Sequence, residues 1–407
     1  MVPNGWKLST IEEISSVSSG GTPSRKNESY WNGNIPWVTT AEVQFKIIED
    51  TAEKITEEGL ANSSAKLFPV DTILIAMYGQ GKTRGQVAKL GIEASTNQAC
   101  AAIILKAGYH VDYYYQFLIS QYDNIREMAN SGGQENLSGG IVKSIKVPVP
   151  PLPEQKKIAK ILSTWDKAIA TTEKLIATSQ QQKKALMQQL LTGKKRLLDK
   201  NGVRFGGEWK KVRLGNMADM NSGGTPKSNI EEYYGGNIPW VSIADMTKQG
   251  KWISSTEKNL TELGLENSSA RIYPKNSVLY AMYASIGECS IAQVPLSSSQ
   301  AILGIRPKSE LNFEFLYFFL TSLKEKIKLQ GQQGTQSNLN AGMVKDFVLY
   351  LPDMEEQQKI VAVLAAADQE ITTLQQQLDQ LKQEKKALMQ QLLTGKRRVK
   401  VDENVAA

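Results

Sequence analysis

The peptide "KALMQQLLTGK", residues 184–194, recurs unchanged at residues 386–396, and this repetition decides how the whole chain is organised. Other shared stretches lie upstream of each copy: "SGGTP" at 19–23 and 222–226, "GNIPWV" at 33–38 and 236–241, and "NSSA" at 62–65 and 267–270. Matching stretches are separated by a nearly constant number of residues. The sequence therefore predicts two similar halves, each with a core of its own.

Each half ends in a segment with the pattern of a coiled coil. From Ile158, steps of four and three residues reach ten positions, of which seven are apolar in the first copy and nine in the second. Such spacing predicts a seam of about five heptads. Pro153 and Pro352 stand before the two segments, and Gly193 and Gly395 follow them as stop signals. A helix of this length would measure about 58 Å at ~1.5 Å per residue.

The two helices are predicted to pair antiparallel, because the short connection after the first one could hardly return the chain along its full length. Lys183 and Lys385 interrupt the two seams at the same register position, which we interpret as a device that specifies pairing. The predicted fold is α+β, with two similar α/β domains separated by two long antiparallel coiled-coil helices and related by a pseudo-twofold axis. The predicted segments are a first globular domain (1–151), a first long helix (152–193), a linker (194–208), a second globular domain (209–352), a second long helix (353–395) and a basic then acidic tail (396–407).

The composition points to a polyanionic partner. Lys and Arg outnumber Asp and Glu by 48 to 41, which gives a formal net charge of +7, and nucleic acid is the natural candidate. No apolar run approaches the ~20 residues of a membrane span. The two cysteines, Cys100 and Cys289, fit a reducing cytoplasm, and both are predicted to be buried thiols. We therefore expect a cytoplasmic protein that does not enter a membrane.

The stretch "AMYGQGKTRG", residues 76–85, resembles a phosphate-binding loop but misses one required glycine, whose place is taken by Ala76. Its counterpart in the second half, "AMYASIG", lacks the Lys-Thr pair. An NTPase that uses Lys82 is thus the enzymatic alternative, and the repeat disfavours it. We predict instead an exposed loop after a strand, in which Lys82 and Arg84 approach phosphates.

Two kinds of nucleic-acid contact are predicted in each half. The glycine-rich turn and the loop after the strand would place backbone donors and cations against phosphates; the residues are Gly21, Thr22, Pro23, Ser24, Arg25, Lys26, Lys82, Arg84, Thr225, Pro226, Lys227 and Ser285. Amide, hydroxyl and aromatic side chains would read bases; these are Tyr78, Asn97, Gln98, Tyr283, Ser299 and Gln300. Trp37 and Trp240 are predicted to lie in the cores.

Catalytic and metal-binding patterns do not occur in the sequence. His110 is the only histidine, and its counterpart is Asn312, so imidazole chemistry cannot operate in both halves. No Cys/His metal cluster and no methyltransferase motif is present. The chain is therefore predicted to be non-catalytic, and a coiled-coil scaffold that binds only proteins remains an alternative to a DNA-binding role.

The unchanged peptide at both helix ends indicates a shared partner. Seam packing accounts for its leucines but not for its identical polar residues, and one protein that contacts both ends would account for them. The predicted residues of the helical rod and of partner docking are Trp165, Leu186, Gln188, Gln189, Leu190, Leu388, Gln390, Gln391 and Leu392.

The combination of "SGGTPS", "YW" and "GNIPWV" with the helix entries "VPVPPLPEQKKIAKIL" and "LYLPDMEEQQKIVAVL" resembles the specificity subunit of type I restriction-modification systems. The resemblance covers nearly the whole chain. It implies two target recognition domains that each read one half of a bipartite sequence in double-stranded DNA, held apart by the helices. It also implies two modification subunits that methylate adenine and further restriction-translocase subunits. S-adenosylmethionine, ATP and Mg would then be bound by those partners, and no cofactor or metal is expected on this chain.

Overall fold

The computed structural model describes residues 2–79, 82–130, 136–332 and 339–401. The chain divides into two compact units: unit 1 comprises residues 1–173 and 376–407, and unit 2 comprises residues 174–375. None of the helices in these described ranges is long and apolar enough to cross a bilayer.

Unit 1 is built mainly from short strands. Its strands are β1 (Lys7–Thr10), β2 (Ser15–Ser19), β3 (Trp31–Val38), β4 (Ile47–Ile48), β5 (Glu53–Ile55), β6 (Leu67–Phe68), β7 (Ile73–Ala76), β8 (Val87–Leu90), β9 (Ala94–Thr96), β10 (Cys100–Leu105) and β11 (Lys146–Val149). Its helices are α1 (Ile11–Ile14), α2 (Glu57–Ala61), α3 (Val111–Ser120), α4 (Tyr122–Asn130) and α5 (Gly139–Ser144).

These strands form a five-stranded sheet in the order β2-β10-β7-β8-β4, a four-stranded sheet in the order β5-β3-β9-β6, and the antiparallel pair β1-β11. The central strand β7 is buried on both faces: Ile73 and Ile75 belong to one core cluster, and Leu74 and Ala76 to another. Continuous burial of this kind explains why the strand reads as an unbroken apolar run rather than an alternating one.

Unit 2 repeats this plan. Its strands are β12 (Lys210–Arg213), β13 (Ala218–Ser222), β14 (Tyr234–Val241), β15 (Trp252–Ile253), β16 (Lys258–Leu260), β17 (Val278–Ala281), β18 (Cys289–Ala292), β19 (Ser297–Ser298), β20 (Ile302–Pro307) and β21 (Val348–Leu351). Besides the long α6 (Leu152–Leu190) and α12 (Met354–Leu392), the helices are α7 (Leu214–Met217), α8 (Ile243–Gln249), α9 (Glu262–Glu266), α10 (Phe313–Gln332) and α11 (Ala341–Lys345). The sheets run β13-β20-β17-β18-β15, β16-β14-β19 and β12-β21. The prediction of two similar halves is confirmed.

The long helices pair antiparallel within each unit, as predicted. In unit 1, Lys385 Nζ lies 2.6 Å from Asp166 Oδ1, and Lys382 Nζ lies 2.8 Å from Glu173 Oε1. Residue numbers therefore rise along α6 as they fall along α12. In unit 2, Lys183 pairs with Asp368 in the same way. Both seam lysines thus form ion pairs with equivalent aspartates, which supports their interpretation as residues that specify the pairing.

Both long helices are divided between the two compact units. Helices α6 and α12 begin at the equivalent residues Leu152 and Met354. Each compact unit, however, contains the first half of one long helix and the second half of the other. This division follows from antiparallel pairing, which brings the end of one helix beside the start of the other.

A buried carboxylate joins the start of one long helix to the chain that follows the other. In unit 1, Glu154 accepts a hydrogen bond from Arg398 Nε at 2.8 Å and another from Trp6 Nε1 at 3.2 Å. The matching residues in unit 2 are Glu356, Arg196 and Trp209. Because the carboxylates are only 6% and 1% exposed, each needs this charge-assisted pairing to be tolerated in the interior.

The predicted core residues lie in the cores. Trp37 and Trp240 are buried, as are Cys100 and Cys289. Burial raises the pKa of the Cys100 thiol to about 12, so the reactive thiolate form is suppressed near neutral pH. The prediction of two buried cysteines is confirmed.

Candidate nucleic-acid interface

The glycine-rich turn of each unit is hydrogen-bonded to a core tryptophan. Gly21 N donates to Thr96 O at 2.8 Å, and Trp37 Nε1 donates to Gly21 O at 3.0 Å. In unit 2, Trp240 Nε1 donates to Gly224 O at 2.9 Å. The two core tryptophans therefore also hold the turn in place. The shared "SGGTP" and "GNIPWV" stretches are where this link could have been noticed in the sequence.

Four segments that are distant in sequence meet at this turn. Thr22 Oγ1 donates to Gln98 Oε1, which connects the turn to the loop after β9. Met77 N donates to Ala99 O at 2.8 Å, and Leu137 N donates to Met77 O at 3.0 Å. We call residues 20–26, 77–79, 82–85, 97–99 and 136–138 the loop cluster of unit 1.

Unit 2 contains the same loop cluster, formed by residues 223–227, 282–287, 299–301 and 339–340. Thr225 Oγ1 donates to Gln300 Oε1, Met282 N donates to Ala301 O at 2.9 Å, and Leu339 N donates to Met282 O at 3.0 Å. The structure thus brings together the turn, the loop after the strand and the amide-bearing loop in both units. Gln80, Gly81 and Asn338 lie outside the described residues.

The predicted base-reading residues differ in how accessible they are. Tyr78 and Tyr283 are 42% and 39% exposed, and Gln98 and Gln300 are exposed as well. These four side chains stand at equivalent places in the two clusters.

Asn97 and Ser299 are less accessible than predicted. Asn97 Oδ1 accepts a hydrogen bond from Ala99 N at 3.1 Å, so part of the amide serves the turn itself. Ser299 is only 9% exposed because its backbone joins the end of β14 through Ser299 N and Val241 O, at 3.0 Å. The hydroxyl of Ser299 is therefore poorly placed to reach a base.

The predicted phosphate-contacting cations are also placed unequally. Lys26, Lys82 and Lys227 are exposed, and Arg84 is half-buried. The Arg25 guanidinium binds Glu53 through both terminal nitrogens and stacks 3.7 Å above the Trp31 ring. This pairing lowers the pKa of Glu53 and raises the pKa of Arg25. Arg25 is thus paired with a carboxylate while its side chain stays 53% exposed, and its phosphate contact stays a prediction.

The remaining predicted residues belong to the glycine-rich turns and to the loop after β17. Ser24 and Thr225 are exposed, Thr22 and Ser285 are half-buried, and Gly21, Pro23 and Pro226 are buried. The buried members shape the turn, while the exposed members form its surface.

The loop after β7 is a hairpin loop and not a phosphate-binding loop. It leads into the antiparallel strand β8, with Gly85 N donating to Ala76 O at 2.8 Å, and no helix follows it. The helix N-terminus that such a loop requires is therefore missing, and the NTPase alternative based on Lys82 is not supported.

Helix α4 anchors this loop through residues that the sequence did not indicate. Tyr122 Oη donates to Lys82 O at 2.5 Å, and Arg126 Nη1 donates to Tyr122 Oη at 2.6 Å. In unit 2 the position of Tyr122 is held by Lys324, which pairs with Glu288 in the corresponding loop. Because the two units use different anchors, comparison of the repeats could not reveal them.

His110 lies outside the loop cluster. It precedes helix α3, and burial lowers its pKa. Its counterpart Asn312 caps α10, with Oδ1 accepting from Glu314 N at 2.9 Å. The pair therefore marks a helix start. Among the described residues, no group of His, Cys, Asp and Glu side chains is arranged to hold a metal ion.

The predicted docking residues on the long helices fall into two groups. Leu190 and Leu392 are buried in the cores at 0% and 3% exposure, which agrees with their place in the apolar seam of the helical rod. Trp165, Leu186 and Leu388 are half-buried. The identical glutamines are exposed; they are Gln188, Gln189, Gln390 and Gln391.

Comparison with known proteins places the chain in a family. A sequence profile described as the type I restriction modification DNA specificity domain matches residues 3–179 and 206–383. The chain belongs to this family and carries two copies of the domain.

Curated relatives match along almost the whole chain. The MjaIX specificity subunit of Methanocaldococcus jannaschii is 26% identical, over 98% of this chain and 95% of the relative. The MjaX specificity subunit of the same organism, described as putative, is 29% identical over the same shares. The EcoR124I/EcoR124II specificity subunit of Escherichia coli is 32% identical over 40% of each chain.

Solved structures share the fold. A chain from a study of complex assembly and conformational transition in a type I restriction-modification system matches with a TM-score of 0.62 and 18% identity, covering 98% of this chain and 100% of that chain. The S subunit from M. genitalium matches with a TM-score of 0.58 and 16% identity, covering 97% of this chain and 98% of that chain.

Proposed function

We propose that this chain is the non-catalytic DNA-reading subunit of its system and that each loop cluster reads one half of a bipartite target in double-stranded DNA. The observation that carries the proposal is the duplicated cluster, in which four segments converge through equivalent hydrogen bonds in both units. Family membership supplies the DNA-recognition role.

The differences between the clusters support a division between positioning and sequence reading. The glycine-rich turn, the tyrosine after the strand and the glutamine are shared by both units, so they suit contacts that every half-site offers. The loop after β7 differs from the loop after β17 in length and in its charged residues. Differing residues are where two half-sites of unlike sequence would be distinguished.

Modification and restriction-translocase subunits would dock on the long helices. The exposed residues of the repeated peptide form an identical set at each helix end, which we call the docking set: Gln188, Gln189, Thr192 and Lys194, with Gln390, Gln391, Thr394 and Lys396. Two identical sets suit two copies of one modification subunit. S-adenosylmethionine, ATP and Mg would be bound by the partner subunits.

A half-buried groove supports docking in unit 1. It has a volume of about 700 Å³, with Ile161, Trp165 and Leu388 among its apolar lining and with Lys157 and Lys400 among its cations. Such a groove would accept an amphipathic helix whose flanks are acidic.

The experiment replaces Gln98 by Ala and, separately, Gln300 by Ala in the full chain, expressed with its modification subunits. Each variant should relax or weaken methylation at one half of the target and leave the other half unchanged, because each amide belongs to one cluster. Sequencing of methylated bases in the host DNA measures both halves in one experiment.

Three outcomes would count against the proposal. Unchanged methylation in both variants would show that the two glutamines do not contact the target DNA. Equal damage to both half-sites would contradict independent reading by the two units. Normal partner binding without any retention of target DNA by the assembled complex would favour the protein-binding scaffold.

A further inference from the structure

A basic groove lies on the surface of unit 2, beside the edge strand β13. It consists of two cavities of about 630 and 370 Å³ that share Pro274 and Arg306. Its charged lining residues are Arg271, Lys275, Arg306, Lys308, Lys345 and Asp219. Five cations and one carboxylate give this lining a formal charge of +4.

One carboxylate, Asp219, lies opposite Arg306 in the β13-β20 pair, and the other cations of the basic groove exceed it in number. Within the part of the chain that the structure describes, no acidic side chain forms an ion pair with Arg271, Lys275, Arg306 or Lys345, and all four are exposed. Lys308 Nζ donates to the backbone oxygen of Asn216 at 3.0 Å. Clustered like charges repel one another, so an arrangement of this kind is stabilised when an anion binds.

Unit 1 provides an internal control, because the same fold there lacks most of this charge. Val70 and Ile104 stand where unit 2 has Lys275 and Arg306, and they are 50% and 36% exposed. Glu12 stands where unit 2 has Gly215 and pairs with Lys143 at 3.2 Å.

The matching positions of unit 1 carry Lys66, Lys106, Lys143, Glu12 and Asp71, with a formal charge of +1. Folding alone therefore does not require the cations of unit 2.

The basic groove continues from the loop cluster of unit 2. Asn221, which lines the groove, lies two residues before Gly223 and accepts a hydrogen bond from Tyr273 Oη at 2.9 Å. Arg271 follows Ala270, whose nitrogen would lie 2.3 Å from a Cβ atom on Gly224. The cations thus extend from the glycine-rich turn along β13 toward Lys345.

We infer that the basic groove of unit 2 binds the phosphate backbone of duplex DNA that flanks the half-site held by the adjacent loop cluster. The inference rests on the proposed function and adds a contact outside the recognised sequence. Lys and Arg side chains commonly contact phosphate oxygens, and such contacts fix the position of a protein on the duplex without reading its sequence. Unit 1 would lack this contact, so the footprint on DNA would be longer beside the half-site of unit 2.

The test exchanges the groove cations for the residues that unit 1 carries, Lys275→Val together with Arg306→Ile, in the full chain assembled with its modification subunits. Binding is measured from low to moderate salt on two duplexes that contain the target found by methylated-base sequencing. One duplex has flanks of about 20 base pairs, roughly two helical turns, and the other is trimmed to the target. On the long duplex, the slope of log affinity against log salt should fall by about 1.8, since each phosphate contact contributes ~0.9. The slope on the trimmed duplex should not change.

The control removes two exposed cations of unit 2 outside the groove, Lys248→Val with Lys326→Ile, and should leave both slopes unchanged. The reciprocal variant of unit 1, Val70→Lys with Ile104→Arg, should raise the slope on the long duplex.

If the wild type and the groove variant had equal salt slopes on the long duplex, the inference would be overturned. Normal binding of the trimmed duplex in the same experiment would leave the proposed function standing. A changed slope on the trimmed duplex would place the cations within the half-site and would also overturn it. If the groove variant no longer bound modification subunits, the basic groove would be a binding site for an acidic surface of those subunits, and the inference would be overturned. If the wild-type complex bound neither duplex, the proposed function would fail together with the inference.

Discussion

The adjacent glycines of the "SGGTP" turn leave no space for a side chain. A Cβ atom on Gly21 would lie 2.3 Å from the carbonyl carbon of Ser64, and one on Gly224 would lie 2.3 Å from Ala270 N. Both neighbours are backbone atoms, which cannot rotate away. The close approach fixes the turn against the segment that follows "NSS", so the shape of the turn depends on residues about forty positions further along the chain.

Replacing Gly21 by Ala should therefore destabilise unit 1 and displace its turn. We expect the free energy of unfolding to fall by about 1–3 kcal/mol, the usual cost of inserting an atom into a packed site. Methylation should weaken at one half-site only. Denaturant unfolding and methylated-base sequencing measure the two effects.

The matched control is Gly139→Ala, because a Cβ atom on Gly139, in the first turn of α5, would meet no atom within 4 Å. Alanine at Gly139 should be neutral or slightly stabilising. Equal stability of the two alanine variants would show that the turn relaxes around the added atom.

Among the secondary-structure elements, the long helices were predictable and the loop cluster was only partly so. The helices follow from a seven-residue apolar period that persists because the same face stays buried, as Ile158, Leu162 and Ile176 show. The segments of the loop cluster could be proposed one by one. Their convergence could not, because it depends on backbone hydrogen bonds of Met77 to residues 22 and 60 positions away, and backbone bonds leave no signature in side-chain identity.

The availability of individual side chains could not be predicted from sequence for a related physical reason. Arg25 has the sequence surroundings of a phosphate contact, yet Glu53 on a neighbouring strand pairs with it. Leu190 belongs to the same unchanged peptide as the exposed Gln188 and Gln189, yet it fills the core of unit 2. Sequence pattern indicates which residues are special, whereas the tertiary neighbours determine whether a side chain is available to a partner.

The ion pair between Lys183 and Asp368 should contribute to the register of the long helices in unit 2. The two side chains are 18% and 29% exposed, so solvent screens them only in part. The single change Lys183→Asp places two carboxylates next to each other and should lower the free energy of unfolding by about 1–3 kcal/mol. The swap Lys183→Asp with Asp368→Lys should restore most of that free energy. Denaturant unfolding of both single variants and the double variant gives the coupling energy.

An exposed pair of the same helices serves as the control. Lys382 and Glu173 are 51% and 50% exposed. The change Lys382→Asp should therefore lower the free energy of unfolding by less than about 1 kcal/mol. Absence of recovery in the swapped Lys183 and Asp368 variant would show that the lysine stem, which lies near the Phe318 ring, matters more than its charge.

For the whole molecule, duplication separates what is constant from what varies. Both units keep a five-stranded sheet of the same strand order, the same tryptophan-held turn and the same arginine-carboxylate link at the helix ends. They differ in the loop after the central strand and in the charge of the surface beside β2 and β13. The loop after the central strand and the surface charge therefore vary between the units while the shared sheet, the turn and the helix-end link stay the same.

The two docking sets should each hold one modification subunit. The double change Gln188→Lys with Gln189→Lys alters one set on an exposed helix face, and lysine keeps nearly the same helix propensity as glutamine. Native mass spectrometry of the assembled complex should then find one modification subunit in place of two, and the same changes at Gln390 and Gln391 should have the same effect. Changing all four glutamines should leave the chain without modification subunits.

The control for this prediction is the change of Gln181 and Gln182 to Lys. Both side chains are exposed on the same helix, outside the repeated peptide, so two modification subunits should remain bound. Because the two sets are identical in sequence, a change at one of them should act on one subunit alone. Loss of both subunits from the Gln188 and Gln189 variant would show that the partners bind only as a pair, and full retention would place their contact elsewhere on the chain.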